Sequence, residues 1–159
     1  MKFFEDKTGQ KWMLELTVGS AKRVKAACDV DLINIVNFDE SSNTPSTLEI
    51  LVNDPCLLVQ VLYTLCEKQI AGREIDGEGF AELFSGETVE KAIDALVEEI
   101  INFSPPMRRK MLSKIYQTSQ NLMGKMADDL EKTLDNPEFQ NVLEEQLRKS
   151  FIVSPESSE

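Results

Sequence analysis

The sequence predicts a mainly α fold of the α+β class: a helical domain with a small N-terminal β-hairpin and a long C-terminal helix. Three observations carry this reading. Short alternating apolar stretches stand near the N-terminus on either side of a turn. Most later apolar residues recur at helical spacing. Residues 104–134 keep that spacing without a break, about twice as long as the helix before them.

Taken in order, residues 2–5 and 11–16 read as strands, with Trp12, Leu14 and Leu16 turned to one face. Asp6-Lys7-Thr8-Gly9-Gln10 between them has hairpin chemistry, with Gly9 available for a positive φ. Two strands alone are marginal, so the hairpin has to rest on helices, here 58–65 and 89–101. Thr17 or Ser20 can cap a short helix over about 20–28, with Val24 and Ala27 inward and Lys22, Arg23 and Lys25 outward. The β-branched run 30–36 fits either a short strand or a helical turn, and the polar stretch 38–46 reads as a surface loop. Asp54-Pro55 is a helix start, an N-cap followed by proline at the first helical position. Leu58, Val61, Leu62 and Leu65 mark that helix's buried side, and it ends near Gln69 or Gly72. Residues 80–84 form a short helical piece closed by Gly86. Val89, Ala92, Ile93, Leu96, Val97, Ile100 and Ile101 then give a helix over 87–102 the wide stripe of a central core element.

In the long helix Ser104 is placed to cap and Pro105 to occupy the first turn. Met111, Ile115, Leu122, Met126 and Leu130 follow the period, and Met107, Leu112 and Met123 widen the stripe. Such a helix spans roughly 45 Å. Asn136-Pro137 starts a last helix, with Phe139, Val142, Leu143 and Leu147 on one side. The expected organisation is a compact α+β domain over 1–103, a long helical hairpin or arm packed on it over 104–151, and a flexible tail over 152–159. The surplus length makes Met123, Met126, Leu130 and Leu134, with Phe139 and Leu143, a candidate partner-binding or self-associating face, unless the last helix folds back and covers it. Methionine suits both core gaps and adaptable binding surfaces.

Charge adds a second candidate. Arg108, Arg109, Lys110 and Lys114 crowd the first turns of the long helix, where the macrodipole disfavours cations. Either the Pro105-Pro106 corner folds them alongside Asp94, Glu98 and Glu99, or Arg108 and Arg109 form a docking patch for an acidic partner segment.

Composition narrows the chemistry. The chain holds no histidine, which removes the commonest general acid–base group and metal ligand, and with them Ser-His-Asp, Cys-His and Glu-x-x-His sites. Three cysteines have neither the number nor the spacing of a structural zinc site, and read as buried free thiols of a reducing cytoplasm. Asp76-Gly77-Glu78-Gly79 fails as a calcium loop, because Phe80 and Ala81 fall where a ligand and the sharp-turn glycine belong, so a turn with a helix cap is expected. There is no phosphate-binding glycine loop, and Glu98-Glu99 and Glu144-Glu145 are adjacent pairs that diverge on a helix. The expectation is a protein with no enzymatic activity, no cofactor and no metal. A net charge of −11 disfavours nucleic acid and anionic membrane as partners. No apolar run reaches spanning length, and MKFFEDKTGQ lacks a signal-peptide pattern.

Three stretches, GQKWMLELTVGSAKRVKAACDVDLINI (9–35), NDPCLLVQVLYTLCEKQI (53–70) and GFAELFSGETVEKAIDALVEEIINFSP (79–105), together resemble a family of small tailed-bacteriophage proteins described as tail assembly chaperones. The shared motifs are structural rather than catalytic. The resemblance implies a non-enzymatic viral tail assembly factor made in the host cell cytoplasm. It implies coating of the long helical tape measure protein and help in recruiting the tail tube protein; a homo-oligomer is the partner that the self-associating apolar face would give. The alternative is a structural head–tail or tail-completion protein retained in the virion.

Overall fold

The computed structural model describes residues 1–36 and 45–152. Most of the stretch read as a loop over 38–46, and the tail 152–159 apart from the backbone of Ile152, lie outside them. In chain order the elements are β1 (Lys2–Glu5), β2 (Lys11–Leu14), α1 (Val18–Cys28), α2 (Thr47–Asn53), α3 (Pro55–Ala71), α4 (Gly77–Ala81), α5 (Gly86–Phe103), α6 (Pro106–Leu134) and α7 (Pro137–Ile152). The fold is mainly α with a small antiparallel hairpin, as the sequence predicts. No single described helix is long and apolar enough to cross a membrane. The chain divides into two compact units, Met1–Leu112 and Ser113–Glu159.

In unit 1 the hairpin pairs Phe4 with Trp12 and Lys2 with Leu14, so Phe4, Trp12 and Leu14 all turn inward. β1 lies on α5 and β2 on α3, the two helices expected to support them. Gly9 adopts φ 82°, the left-handed conformation the turn requires. Trp12 is fully buried, and its ring and that of Phe80 meet at 89° in a T-shaped pair with centroids 4.9 Å apart. The buried Asp6 carboxylate ties the turn to this core. Its Oδ2 accepts the Trp12 Nε1–H at 2.8 Å, and its Oδ1 accepts from the Thr8 hydroxyl and from the N–H groups of Thr8 and Gln10. Burial pushes the Asp6 carboxyl up, but bonds from the Thr8 and Trp12 side chains and the Gln10 and Thr8 backbone outweigh it, and its pKa is lowered.

Local capping rules account for most helix starts. Thr17 caps α1 and Ser20 closes the reciprocal box, so the helix begins earlier than expected. The inward pair is then Ala21 and Val24, while Ala27, expected inside, is exposed. Residues 30–36 are neither strand nor helix. The Asp31 side chain accepts the N–H groups of Ile33 and Asn34, making a turn that drives Val30, Leu32 and Ile35 into the core. α2 was not expected; its signal is Ser46-x-x-Glu49, a capping box at the edge of the polar stretch. Asp54 ends α2 and caps α3 by accepting the Leu57 N–H at 3.0 Å, as its pairing with Pro55 implies. Asp76 likewise caps α4, accepting the Gly79 N–H at 2.7 Å, which is the turn-plus-cap reading of that acidic stretch.

Two expectations around the α5–α6 corner are corrected. Ser104 does not cap α6. It closes α5, its hydroxyl donating to the Ile100 carbonyl at 2.8 Å, and α6 starts at Pro106 with the Pro105 carbonyl accepting the Arg109 N–H. The following proline holds Ser104 in an extended conformation, ψ 147°, which excludes it from a helix. Nor do Glu98 and Glu99 pair with Arg108, Arg109 or Lys110. Glu98 pairs with Lys2 on β1. The buried Glu99 accepts the Leu16 N–H and lies 3.0 Å from the Met1 ammonium. The hairpin covers this face of α5 first. The cysteines divide as well: Cys66 is buried and its thiol pushed up to about 12, chiefly by that burial, Cys28 is half-buried, and Cys56 is exposed, against the expectation of burial.

Unit 2 is the part of α6 beyond Leu112, then α7 and the stretch after it. The Asp135-Asn136 corner between the helices is closed by the Asn136 side chain, which accepts the Glu138 N–H at 2.9 Å. Ion pairs Asp129–Lys132 and Glu145–Lys149 run along the two helices in the favourable acid-before-base order.

Candidate interaction surface

Every residue from 117 to 151 is exposed. The alternative in which the last helix folds back and covers the long one is therefore overturned. The six apolar side chains singled out from sequence lie in this unit. Their exposure runs from 37% at Phe139 to 63% at Met126, so none is packed as a core residue. Leu122, Val142, Leu147 and Phe151 extend the surface, and the helical period that marks the six is the signal that includes them. On α6, Leu122, Met126, Leu130 and Leu134 recur every four residues; on α7, Phe139, Leu143, Leu147 and Phe151 do the same. Each row forms one ridge of its helix, the kind that inserts into the groove of a second helix.

Arg108 and Arg109 belong to unit 1 and are engaged there. Arg109 donates through Nη2 to the Asn102 carbonyl at 2.7 Å and to the Ser104 carbonyl at 3.1 Å, satisfying the open C-terminal end of α5. Arg108 donates from both terminal nitrogens to Asn34 Oδ1. The sequence placed these cations correctly on the first turn of α6, but their acceptors are backbone carbonyls and an amide.

Unit 1 also carries an open groove of about 1120 Å³ where α1, α3 and α4 meet, lined by Cys28, Cys56, Val59, Tyr63 and Phe84 among others. The charged groups on its wall, Arg23 and Glu67, approach each other at 3.9 Å. Its wall is thus mainly apolar.

No protein-family model, no curated protein and no solved structure matches the chain.

Proposed function

We propose that this protein is a non-enzymatic assembly chaperone that covers an apolar helical segment of another protein. One observation carries the reading: residues 117–151, which form two helices joined by the Asp135-Asn136 corner, present periodic apolar ridges and bury none of them. In proteins most helical stability comes from covering an amphipathic face rather than from intrinsic propensity. Full burial of a large apolar side chain is worth about 1.5–3 kcal/mol. Six half-exposed ones therefore offer roughly 5–10 kcal/mol gross, against association costs of about 4–15 kcal/mol. Further ridge contacts close that gap only narrowly, which suits reversible holding of a client rather than permanent assembly.

With the resemblance of residues 9–105 to tail assembly chaperones, the client is the phage tape measure protein, itself a long helical chain, and the tail tube protein is a second partner. The site of action is the cytoplasm of the infected host.

Co-expression tests this. The tape measure protein of the same phage should stay soluble and co-purify with the chain, and Leu130→Asp combined with Leu143→Asp should abolish both effects while unit 1 stays folded. Mass spectrometry of purified particles against the lysate should find the protein in the lysate alone. Retention in the virion at fixed stoichiometry, or unchanged client solubility with the double variant, would replace this reading by the structural one.

A further inference from the structure

We infer that the free edge of β1 accepts an extended, lysine- or arginine-bearing segment of another protein as a third strand of the hairpin sheet. The ladder itself exposes that edge. The bond from the Asp6 N–H to the Gln10 carbonyl sets which pairs exchange hydrogen bonds. Phe4 with Trp12 and Lys2 with Leu14 do, while Phe3–Met13 and Glu5–Lys11 turn their backbone groups outward. On β2 the outward groups of Met13 are taken, since the Gln69 side-chain amide accepts its N–H at 3.0 Å and donates to its carbonyl at 2.7 Å. On β1 nothing among the described residues bonds the outward N–H and C=O groups of Phe3 and Glu5, and both residues are exposed. One edge is closed at its middle by a side chain that imitates a strand. The other presents a donor–acceptor spacing that an extended backbone matches.

Charge names the chemistry of the incoming strand. Glu98 pairs with Lys2 at one end of β1, and Lys91 is drawn to Glu5 at the other, so these two residues mark the side of α5 that lies along the strand. At about 100° per residue Glu87, Lys91, Asp94 and Glu98 fall within a sector of roughly 60°. Glu87 and Asp94 occupy the part of it turned furthest from the buried Ala92 and Leu96. The open edge of β1 faces the same way, since β2, on its other side, rests on α3. Side chains of an added strand alternate between the outer face, beside Phe3, and the inner face, above this sector of α5. Apolar residues suit the first. Cations suit the second, where three carboxylates stand against Lys2 and Lys91 on a chain of net charge −11. This edge shares no residue with the apolar ridges of unit 2, so the inference goes beyond the client reading and stands without it.

The test uses the full chain and a capped seven-residue peptide of alternating lysine and valine. In the free protein the Phe3 and Glu5 amides should exchange with deuterated solvent much faster than that of Phe4, which is bonded within the hairpin. With the peptide in excess, exchange at Phe3 and Glu5 should slow about tenfold or more. Glu5→Pro deletes one outward N–H and no bond of the ladder, so Trp12 should stay buried while peptide affinity falls roughly tenfold. Glu5→Gln keeps the N–H and should retain most of that affinity. Glu87→Gln combined with Asp94→Asn should weaken binding several-fold, as should added salt with the parent chain. The same peptide with N-methylated valines needs no change in the protein, and should not bind, because the valine N–H groups are the ones that face β1. A glutamate–valine peptide should not bind either. Slow exchange at Phe3 and Glu5 in the free chain, or no binding of the lysine–valine peptide, would overturn the inference. So would equal binding of the N-methylated or the acidic peptide, or unchanged affinity in a folded Glu5→Pro chain. The combined Leu130→Asp and Leu143→Asp variant should bind the peptide as the parent does, which keeps failure here separate from failure of the client reading.

Discussion

Helices α5 and α7 are both amphipathic, of similar length, and separated by about 30 residues of helix, yet their apolar faces meet opposite fates. α5 buries Ala92, Ala95, Leu96, Val97 and Ile100 against the hairpin and the rest of unit 1, whereas α7 buries none of Phe139, Leu143 or Leu147. The difference is not in the helices but in what is available to cover them. β1 and β2 bring Phe4, Trp12 and Leu14 to α5 and α3, while unit 2 offers only its own two ridges. Periodicity thus announces that a face needs covering, and says nothing of whether the cover comes from the same chain.

The sharpest way to break this comparison is truncation of one apolar residue in each unit. Leu96→Ala should cost about 2–5 kcal/mol in chemical denaturation, because the cavity it leaves lies in a packed core. Leu143→Ala should stay within about 0.5 kcal/mol in the same assay. Comparable losses at both positions would mean that unit 2 has a core of its own.

The polar anchor of unit 1 comes next. Asp6→Ala strands the buried Trp12 N–H and should cost about 1–3 kcal/mol. The pH dependence follows from the sign of the shift. The folded Asp6 pKa lies below its unfolded value, so its contribution is complete above about pH 4 and is lost as pH falls through the folded value. Thermal melts between pH 5 and 2 should therefore fall more steeply for the parent chain than for Asp6→Asn. Parallel curves would show that the carboxylate does not hold the turn.

Arg109→Ala uncaps the end of α5 and should lower stability by about 1 kcal/mol, less at high salt, since the group is exposed. A gain rather than a loss is expected from one change in unit 2. Gly124 sits in mid-helix with open space around its α-carbon, so Gly124→Ala should raise helix content and stability by about 0.5–1 kcal/mol. A loss on this substitution would mean that something packs there in solution.

What the sequence by itself determined is whatever is decided within about four residues. Thr17 with Ser20, Asp54 with Pro55, and Asp76 with Gly79 set helix starts because the capping side chain and the N–H it satisfies are covalent near-neighbours. The Ser46–Glu49 box was equally local, and went unread because the polar residues before it drew the whole stretch into a loop. The alternation of Trp12, Leu14 and Leu16 specified the inward face of the hairpin for the same reason. Only the tertiary structure decided partners distant in the chain. Glu98 went to Lys2 rather than to the nearby arginines, Arg108 went to Asn34, and α7 left α6 uncovered. An exposed ion pair is worth about 0–1 kcal/mol. Such a contact is too weak to choose its own geometry, and is made wherever burial of the hairpin and core has already brought the charges together.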